Sequence, residues 1–144
     1  MANILAVCTS EKKGARKKAV EEVVARADYG IIGDAHADSG THRQVSLLSK
    51  ASIDKIRNLG LEVGPGDFAE NLTIEGLELY SLPIGTRFGI GRDVVLEMTQ
   101  IGKECHDRCA IYNQVGTCVM PTEGVFTMVI TGGTVKVGDE LRVI

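Results

Sequence analysis

Three of the chain's four cysteines stand within residues 101–121, IGKECHDRCAIYNQVGTCVMP, together with one histidine. Thiols this close in sequence suit four kinds of chemistry: a zinc site, a disulfide cluster, an activated nucleophile, or soft ligands for a heavier metal. The spacing Cys105-x3-Cys109-x8-Cys118, with His106 directly after Cys105, lacks the paired CxxC knuckles of structural zinc. Lys103, His106 and Arg108 are cations close in sequence to Cys105, and neighbouring cations lower a thiol's pKa. A helix over 107–113 would place Cys105 at an N-terminus, where backbone N–H groups favour a thiolate. Cys109 leads into Ala110 and Ile111 and reads as a packed thiol on one helix face. Cys118 stays open between packing and a part in the site.

A second constellation lies in a long polar loop. His36 sits in Gly33-Asp34-Ala35-His36-Ala37-Asp38, and His42 and Arg43 follow, leading into a strand. A lone loop histidine is usually a solvated side chain. Two histidines, an arginine and two aspartates at a strand mouth are a better candidate site, with Arg43 able to grip a carboxylate or phosphate through two hydrogen bonds. In Gly66-Asp67-Phe68-Ala69-Glu70-Asn71, the polar residues either fix a ligand or cap the strand that follows. The basic run 12–18 reads most simply as a solvated loop, with an anion grip as the lesser alternative. There is no Walker loop, no GxGxxG after a strand, no GxSxG and no HExxH, so a nucleotide cofactor is unsupported.

These residues need elements to position them, and 144 residues suit one domain over the whole chain. With three Phe, three Tyr and no Trp, the core must be aliphatic and stacking on bases is poorly provided for. A net charge of −3 argues against a nucleic-acid partner. The N-terminus has no basic segment before its short apolar run, and no apolar stretch approaches membrane-spanning length. The cytoplasm is therefore expected, where thiols stay reduced. Cys8, inside the apolar strand-like run 3–9, reads as a buried small hydrophobe.

Residues 15–26 read as strand, or loop with a short strand, and 43–48 as a strand. Ser49 is a helix N-cap candidate, with Ile53, Ile56 and Leu59 on one stripe and Gly60 as the stop. Short strands follow at 72–74 and 125–131. Alternation of Val94, Leu96 and Met98 with Val95, Glu97 and Thr99 marks a half-buried strand. Gly132-Gly133 reads as a hairpin turn. Residues 84–90 echo 137–143: a branched residue, a glycine turn, then alternation. Such turn-plus-strand units recur in small barrels. The expected fold is mainly β, with one helix and a second near 107–113.

In this order and spacing, the segments resemble the MOSC domain family, named after the C-terminal region of molybdenum cofactor sulfurases. The resemblance runs over nearly the whole chain. It rests on Gly30-Ile31-Ile32-Gly33-Asp34-Ala35-His36, His42-Arg43-Gln44-Val45-Ser46-Leu47-Leu48, Gly66-Asp67-Phe68-Ala69-Glu70-Asn71-Leu72-Thr73, Ile84-Gly85-Thr86-Arg87-Phe88, residues 96–105 through Thr99-Gln100 to Cys105, and the closing Gly132-Gly133-Thr134-Val135-Lys136-Val137-Gly138-Asp139. It implies a closed or nearly closed β-barrel with one or two short helices, like the pyruvate kinase β-barrel. It also implies a hallmark cysteine at Cys105, as a molybdenum ligand or a sulfur carrier.

His36, Arg43 and Asn71 would then hold the polar and phosphate groups of the molybdenum cofactor, molybdopterin. Lys103, His106 and Arg108 would flank the thiolate, and Cys109 and Cys118 would be nearby thiols or alternative sulfur acceptors. Implied partners are molybdenum cofactor biosynthesis proteins or molybdoenzymes. Many members read Thr-Gln-Pro-Arg-x-Pro-Cys where this chain has Thr99-Gln100-Ile101-Gly102-Lys103-Glu104-Cys105, so one arginine is lost. Gly102-Lys103-Glu104-Cys105-His106 with Cys118-Val119-Met120-Pro121 resembles a bacterial subgroup linked with molybdopterin biosynthesis. The extra N-terminal barrel of related reductases has no counterpart within these residues. The alternatives are a cofactor carrier without turnover, and a thiol redox or zinc protein on the same barrel.

Overall fold

The apolar run Ile4-Leu5-Ala6-Val7-Cys8 lies in the first strand, β1 (Ala2–Thr9), of a computed structural model that describes residues 2–11, 17–35, 37–102 and 123–144. Two short strands follow, β2 (Lys18–Val20) and β3 (Glu22–Arg26), as the reading of 15–26 favoured. Among its described residues, the long polar loop contributes only the two-residue β4 (Gly30–Ile31). Next come β5 (Val45–Ser49), α1 (Lys50–Arg57) and β6 (Leu72–Glu75). Then β7 (Arg87–Ile90), β8 (Val94–Ile101), β9 (Val125–Thr131), β10 (Gly133–Lys136) and β11 (Glu140–Val143) complete the chain.

The sheet runs β11-β7-β8-β9-β5-β6-β1, and β1 returns to β11, closing a barrel of seven strands. Closure removes the open edges that a free sheet would present. All barrel pairings are antiparallel except β5 with β6. Parallel neighbours need a crossover, and α1 lies in that connection. Strand β2 extends from β1, while β10, β3 and β4 form a separate small sheet. The echo between 84–90 and 137–143 is realised as β7 and β11, each led in by a left-handed glycine (Gly85, φ 97°; Gly138, φ 92°), and the two strands pair with each other.

The interior is aliphatic with one phenylalanine. Val94, Leu96 and Met98 point inward from β8 and meet Val45, Leu47, Phe88, Val125 and Val129. A second cluster forms under α1 from Leu48, Ile53, Ile56, Phe68 and Phe126. Burying Ile53 and Ile56 in full contributes about 1.5–3 kcal/mol each, which fixes the helix face.

Ser49 is the N-cap residue, as expected, although its hydroxyl donates to the Leu77 carbonyl at 2.7 Å and makes no cap bond. Two local expectations are corrected. Leu59 is 55% exposed, because α1 ends at Arg57 and the stripe ends with it. Gly132-Gly133 is not a hairpin: β9 pairs with β8 and β5, whereas β10 pairs with β3. The glycines answer a different need there. A Cβ on Gly132 would stand 2.6 Å from the Ala25 carbonyl oxygen where the chain passes between sheets.

Candidate functional site

The loop bearing Asp34 and the loop bearing Glu70 and Asn71 are joined through Cys8, Ser10 and Lys17. Asp34 Oδ1 accepts from the Ser10 backbone N–H at 3.0 Å and pairs with Lys17 Nζ at 2.7 Å. Lys17 Nζ also reaches Ser10 Oγ at 3.3 Å. The two charged side chains are 1% and 0% exposed. Breaking such a buried pair by removing one member typically costs about 3–5 kcal/mol, so Lys17 is a structural anchor. Its place in the basic run gave the sequence no sign of this.

Gly66 makes the other half of the junction. Its φ is +90°, and a Cβ there would lie 2.7 Å from the Lys17 carbonyl oxygen and 3.2 Å from Cys8 Sγ. Glu70 closes this turn from inside. Its Oε1 accepts from Gly66 N at 3.0 Å and Phe68 N at 3.3 Å, and its Oε2 accepts from Thr73 Oγ1 at 3.0 Å. Burial raises the Glu70 pKa, with those hydrogen bonds opposing the rise. Cys8 is fully buried, and burial, followed by the nearby Glu70 carboxylate, pushes its thiol up to about 12. At neutral pH it is a packed thiol, not a nucleophile.

Asn71 is 1% exposed. Its Oδ1 accepts from the Ser46 backbone N–H at 3.0 Å and lies 3.1 Å from Ser46 Oγ, while its Nδ2 donates to the Cys8 carbonyl at 3.1 Å. The side chain thus ties β1, β5 and the start of β6 together where the parallel pair begins. Of the two readings of 66–71, capping and strand-joining are what these contacts perform.

The turn 41–44 is built differently. Gln44, 1% exposed, donates to Asp28 Oδ1 and the Thr41 carbonyl and accepts from Val129 N. The Arg43 backbone N–H bonds Thr41 Oγ1 at 3.1 Å. The register of β8 on β9 shifts between Met98 and Gln100, a bulge that frees Thr99 from the ladder. Thr99 Oγ1 lies 2.5 Å from the His42 carbonyl oxygen and 3.1 Å from that of Phe126. Gln100 Oε1 meets His42 Nε2 at 2.7 Å, and Gln100 Nε2 donates to the Gly102 carbonyl at 2.7 Å. His42 and Arg43 are nevertheless exposed, and the Arg43 guanidinium engages no group among the described residues.

Gly102 N donates to the Gly124 carbonyl at 2.6 Å, so the chain leaves β8 and rejoins β9 side by side. Glu123, beside Gly124, takes a hydrogen bond from Ser52 Oγ at 2.6 Å and an ion pair from Lys55 at 3.0 Å. His36, Lys103, Cys105, His106, Arg108, Cys109, Cys118 and the expected helix over 107–113 lie outside the described residues. Among the described residues, no three His, Cys, Asp or Glu side chains are grouped to hold a metal ion, and no helix is long and apolar enough to cross a membrane. A depression lined by Arg57, Gly60, Leu61, Glu62 and Val63 lies beyond the end of α1 and contains none of the expected site residues.

Sequence reasoning singled out Arg43 and placed His42 beside it. It missed Gln100 and the Thr99 bulge, whose only signal was the Thr-Gln pair ending an alternating strand. The model of the MOSC domain matches residues 34–142. No curated protein matches the chain. Among solved structures, the YuaD protein from Bacillus subtilis superposes with a TM-score of 0.82 at 19% identity, over 99% of this chain and 94% of that one. YiiM from Geobacillus stearothermophilus gives 0.72 at 15% identity, over 100% of this chain and 75% of that one. YiiM from Escherichia coli gives 0.71 at 20% identity, over 100% and 70%. At these identities the likeness is one of fold.

Proposed function

This chain belongs to the MOSC domain family, and from that premise we propose that it binds the molybdenum cofactor, or carries sulfur for it, through the Cys105 thiolate. The observation that supports this reading is the turn 41–44. Its backbone is held by the Thr41, Gln44 and Thr99 side chains, yet it keeps the Arg43 guanidinium exposed and unpaired among the described residues. An unspent guanidinium on a held turn suits a phosphate or carboxylate. Thr99 and Gln100 bond this turn to the strand end from which the chain runs on to Lys103 and Cys105. The donor set therefore fits an anionic cofactor with a soft metal.

A molybdenum centre with dithiolene sulfurs would supply redox or sulfur-transfer chemistry, and a thiolate is a suitable further ligand for it. Lys103 and Arg108, close in sequence to Cys105, would lower its pKa. Arg43 and His36 would bind the cofactor's phosphate and polar groups, with His106 beside the thiolate and Cys118 as a further thiol. Asn71 serves this reading through the strand junction that it holds. The cofactor or its sulfur would pass to molybdenum cofactor biosynthesis proteins or a molybdoenzyme.

Protein produced with molybdate under low oxygen is the test, with molybdenum analysis, pterin fluorescence and assay of cysteine-bound sulfur. Wild-type protein should carry cofactor or sulfur. Cys105→Ala should carry neither, and Arg43→Ala should bind cofactor about tenfold or more weakly, as for loss of a charge-assisted hydrogen bond. Full occupancy in Cys105→Ala overturns the reading. Stoichiometric zinc without molybdenum would replace it with a zinc or thiol protein on the same barrel.

A further inference from the structure

The hydrogen bonds at Gln100 carry more than anchorage. A carbonyl only accepts, so the Gly102 carbonyl at 2.7 Å fixes Nε2 of the Gln100 amide towards it. Oε1 of the same amide then faces His42 Nε2 at 2.7 Å, and an amide oxygen also only accepts. His42 must therefore be the donor, with its hydrogen on Nε2. In the neutral ring this leaves the lone pair on Nδ1, which has no partner among the described residues. The backbone that carries the ring is held as well, because the His42 carbonyl takes the Thr99 hydroxyl at 2.5 Å. An exposed histidine would ordinarily be free to turn; this one is held with its acceptor outward.

We propose that His42 is a ligand-facing residue of this site, acting through Nδ1 as the acceptor of a hydrogen bond or proton from the bound group, with Gln100 as the positioning residue that fixes its tautomer. The inference rests on the cofactor-binding reading and assigns the neighbour of Arg43 a complementary part. Arg43 offers only donors, whereas His42 offers an acceptor. The pair suits a group that presents both an acceptor oxygen and an O–H or N–H, such as a singly protonated phosphate monoester or the ring amides of a pterin.

Bond counting supplies the test. An asparagine amide falls where His Nδ1 lies, and a glutamine amide falls where His Nε2 lies. His42→Gln keeps the link to Gln100 and loses the outward acceptor; His42→Asn does the reverse. Wild type, Cys105→Ala, His42→Gln and His42→Asn are produced with molybdate under low oxygen, and molybdenum and pterin per chain are measured beside thermal melts.

A folded His42→Gln that binds about tenfold or more weakly, with occupancy recovered in His42→Asn, supports the proposal. A His42→Gln that retains wild-type occupancy overturns it, even if Cys105→Ala is empty and the cofactor reading stands. Should His42→Gln melt well below wild type, His42→Asn decides, and loss of cofactor there overturns the proposal. Wild-type protein without cofactor defeats the underlying reading and this proposal with it. Long-range nitrogen–proton spectra of cofactor-free protein test Gln100 separately. They should show the neutral His42 ring as one tautomer, protonated at Nε2, and a mixture in Gln100→Leu. A mixture in wild type overturns the positioning role.

Discussion

Replacing Asn71 by alanine separates a structural from a ligand-binding role at the residue that the family resemblance marks. The substitution removes three contacts, all in the interior: Oδ1 to Ser46 N at 3.0 Å, Oδ1 to Ser46 Oγ at 3.1 Å, and Nδ2 to the Cys8 carbonyl at 3.1 Å. The Ser46 hydroxyl can turn to the Ala69 carbonyl, 3.3 Å away. The Ser46 N–H and the Cys8 carbonyl lose these partners in a buried setting. Each stranded group costs about 1–3 kcal/mol, so the variant should lose about 4 kcal/mol. That is a large part of the roughly 5–15 kcal/mol that holds an ordinary domain folded.

In urea, the midpoint should fall by about 2 M with the slope unchanged, since the exposed surface on unfolding is the same. The thermal midpoint should fall by about 12 °C. Cofactor per folded chain should stay as in wild type, because the side chain points its polar atoms into the barrel wall. The reasoning fails if Asn71→Ala unfolds at the wild-type urea midpoint, and fails most clearly if it also loses cofactor.

Two further outcomes follow from the buried titratable groups. Burial raises the Glu70 pKa above its ordinary 4.5, so the folded chain binds the proton more tightly than the unfolded one. Its contribution to stability is therefore fully present below about that pH and is lost as pH rises through the folded value. Urea midpoints should show Glu70→Gln gaining on wild type as pH rises from 4.5 towards neutrality, and a constant difference would refute the assignment. Cys8, buried and raised to about 12, should resist alkylation in folded protein at mildly alkaline pH and react once guanidinium unfolds the chain. Peptide mapping that finds Cys8 labelled in the native state at the rate of a free thiol would contradict this.

The strands were legible where one side chain in two is buried. Val94, Leu96 and Met98 alternate in the sequence because β8 has an inside and an outside, and that period is a property of the strand alone. The helix could be read from Ile53 and Ile56 for the same reason, but Leu59 could not be excluded from its stripe, since nothing local reveals that α1 stops at Arg57. Gly132-Gly133 shows the limit of turn chemistry. Two glycines mark a place where side chains do not fit, without saying whether the obstacle is a tight hairpin or, as here, the Ala25 carbonyl of another strand.

The candidate site divides in the same way. Residue type alone nominated Cys105, Arg43 and the histidines, because thiolates, guanidinium groups and imidazoles are what such chemistry requires. Which polar residues hold the barrel and which face outward depended on contacts between positions far apart. Asn71 turns inward because Ser46, 25 residues away, presents its N–H there. His42 is fixed by Gln100, 58 positions on, only because closing the barrel places the β8 bulge beside the turn before β5. Sequence by itself determined the alternating strands, the helix face and the list of chemically able side chains, all of which depend on near neighbours. Only the tertiary structure decided their partners, because a hydrogen bond is satisfied by proximity in space, and the closed sheet is what creates that proximity.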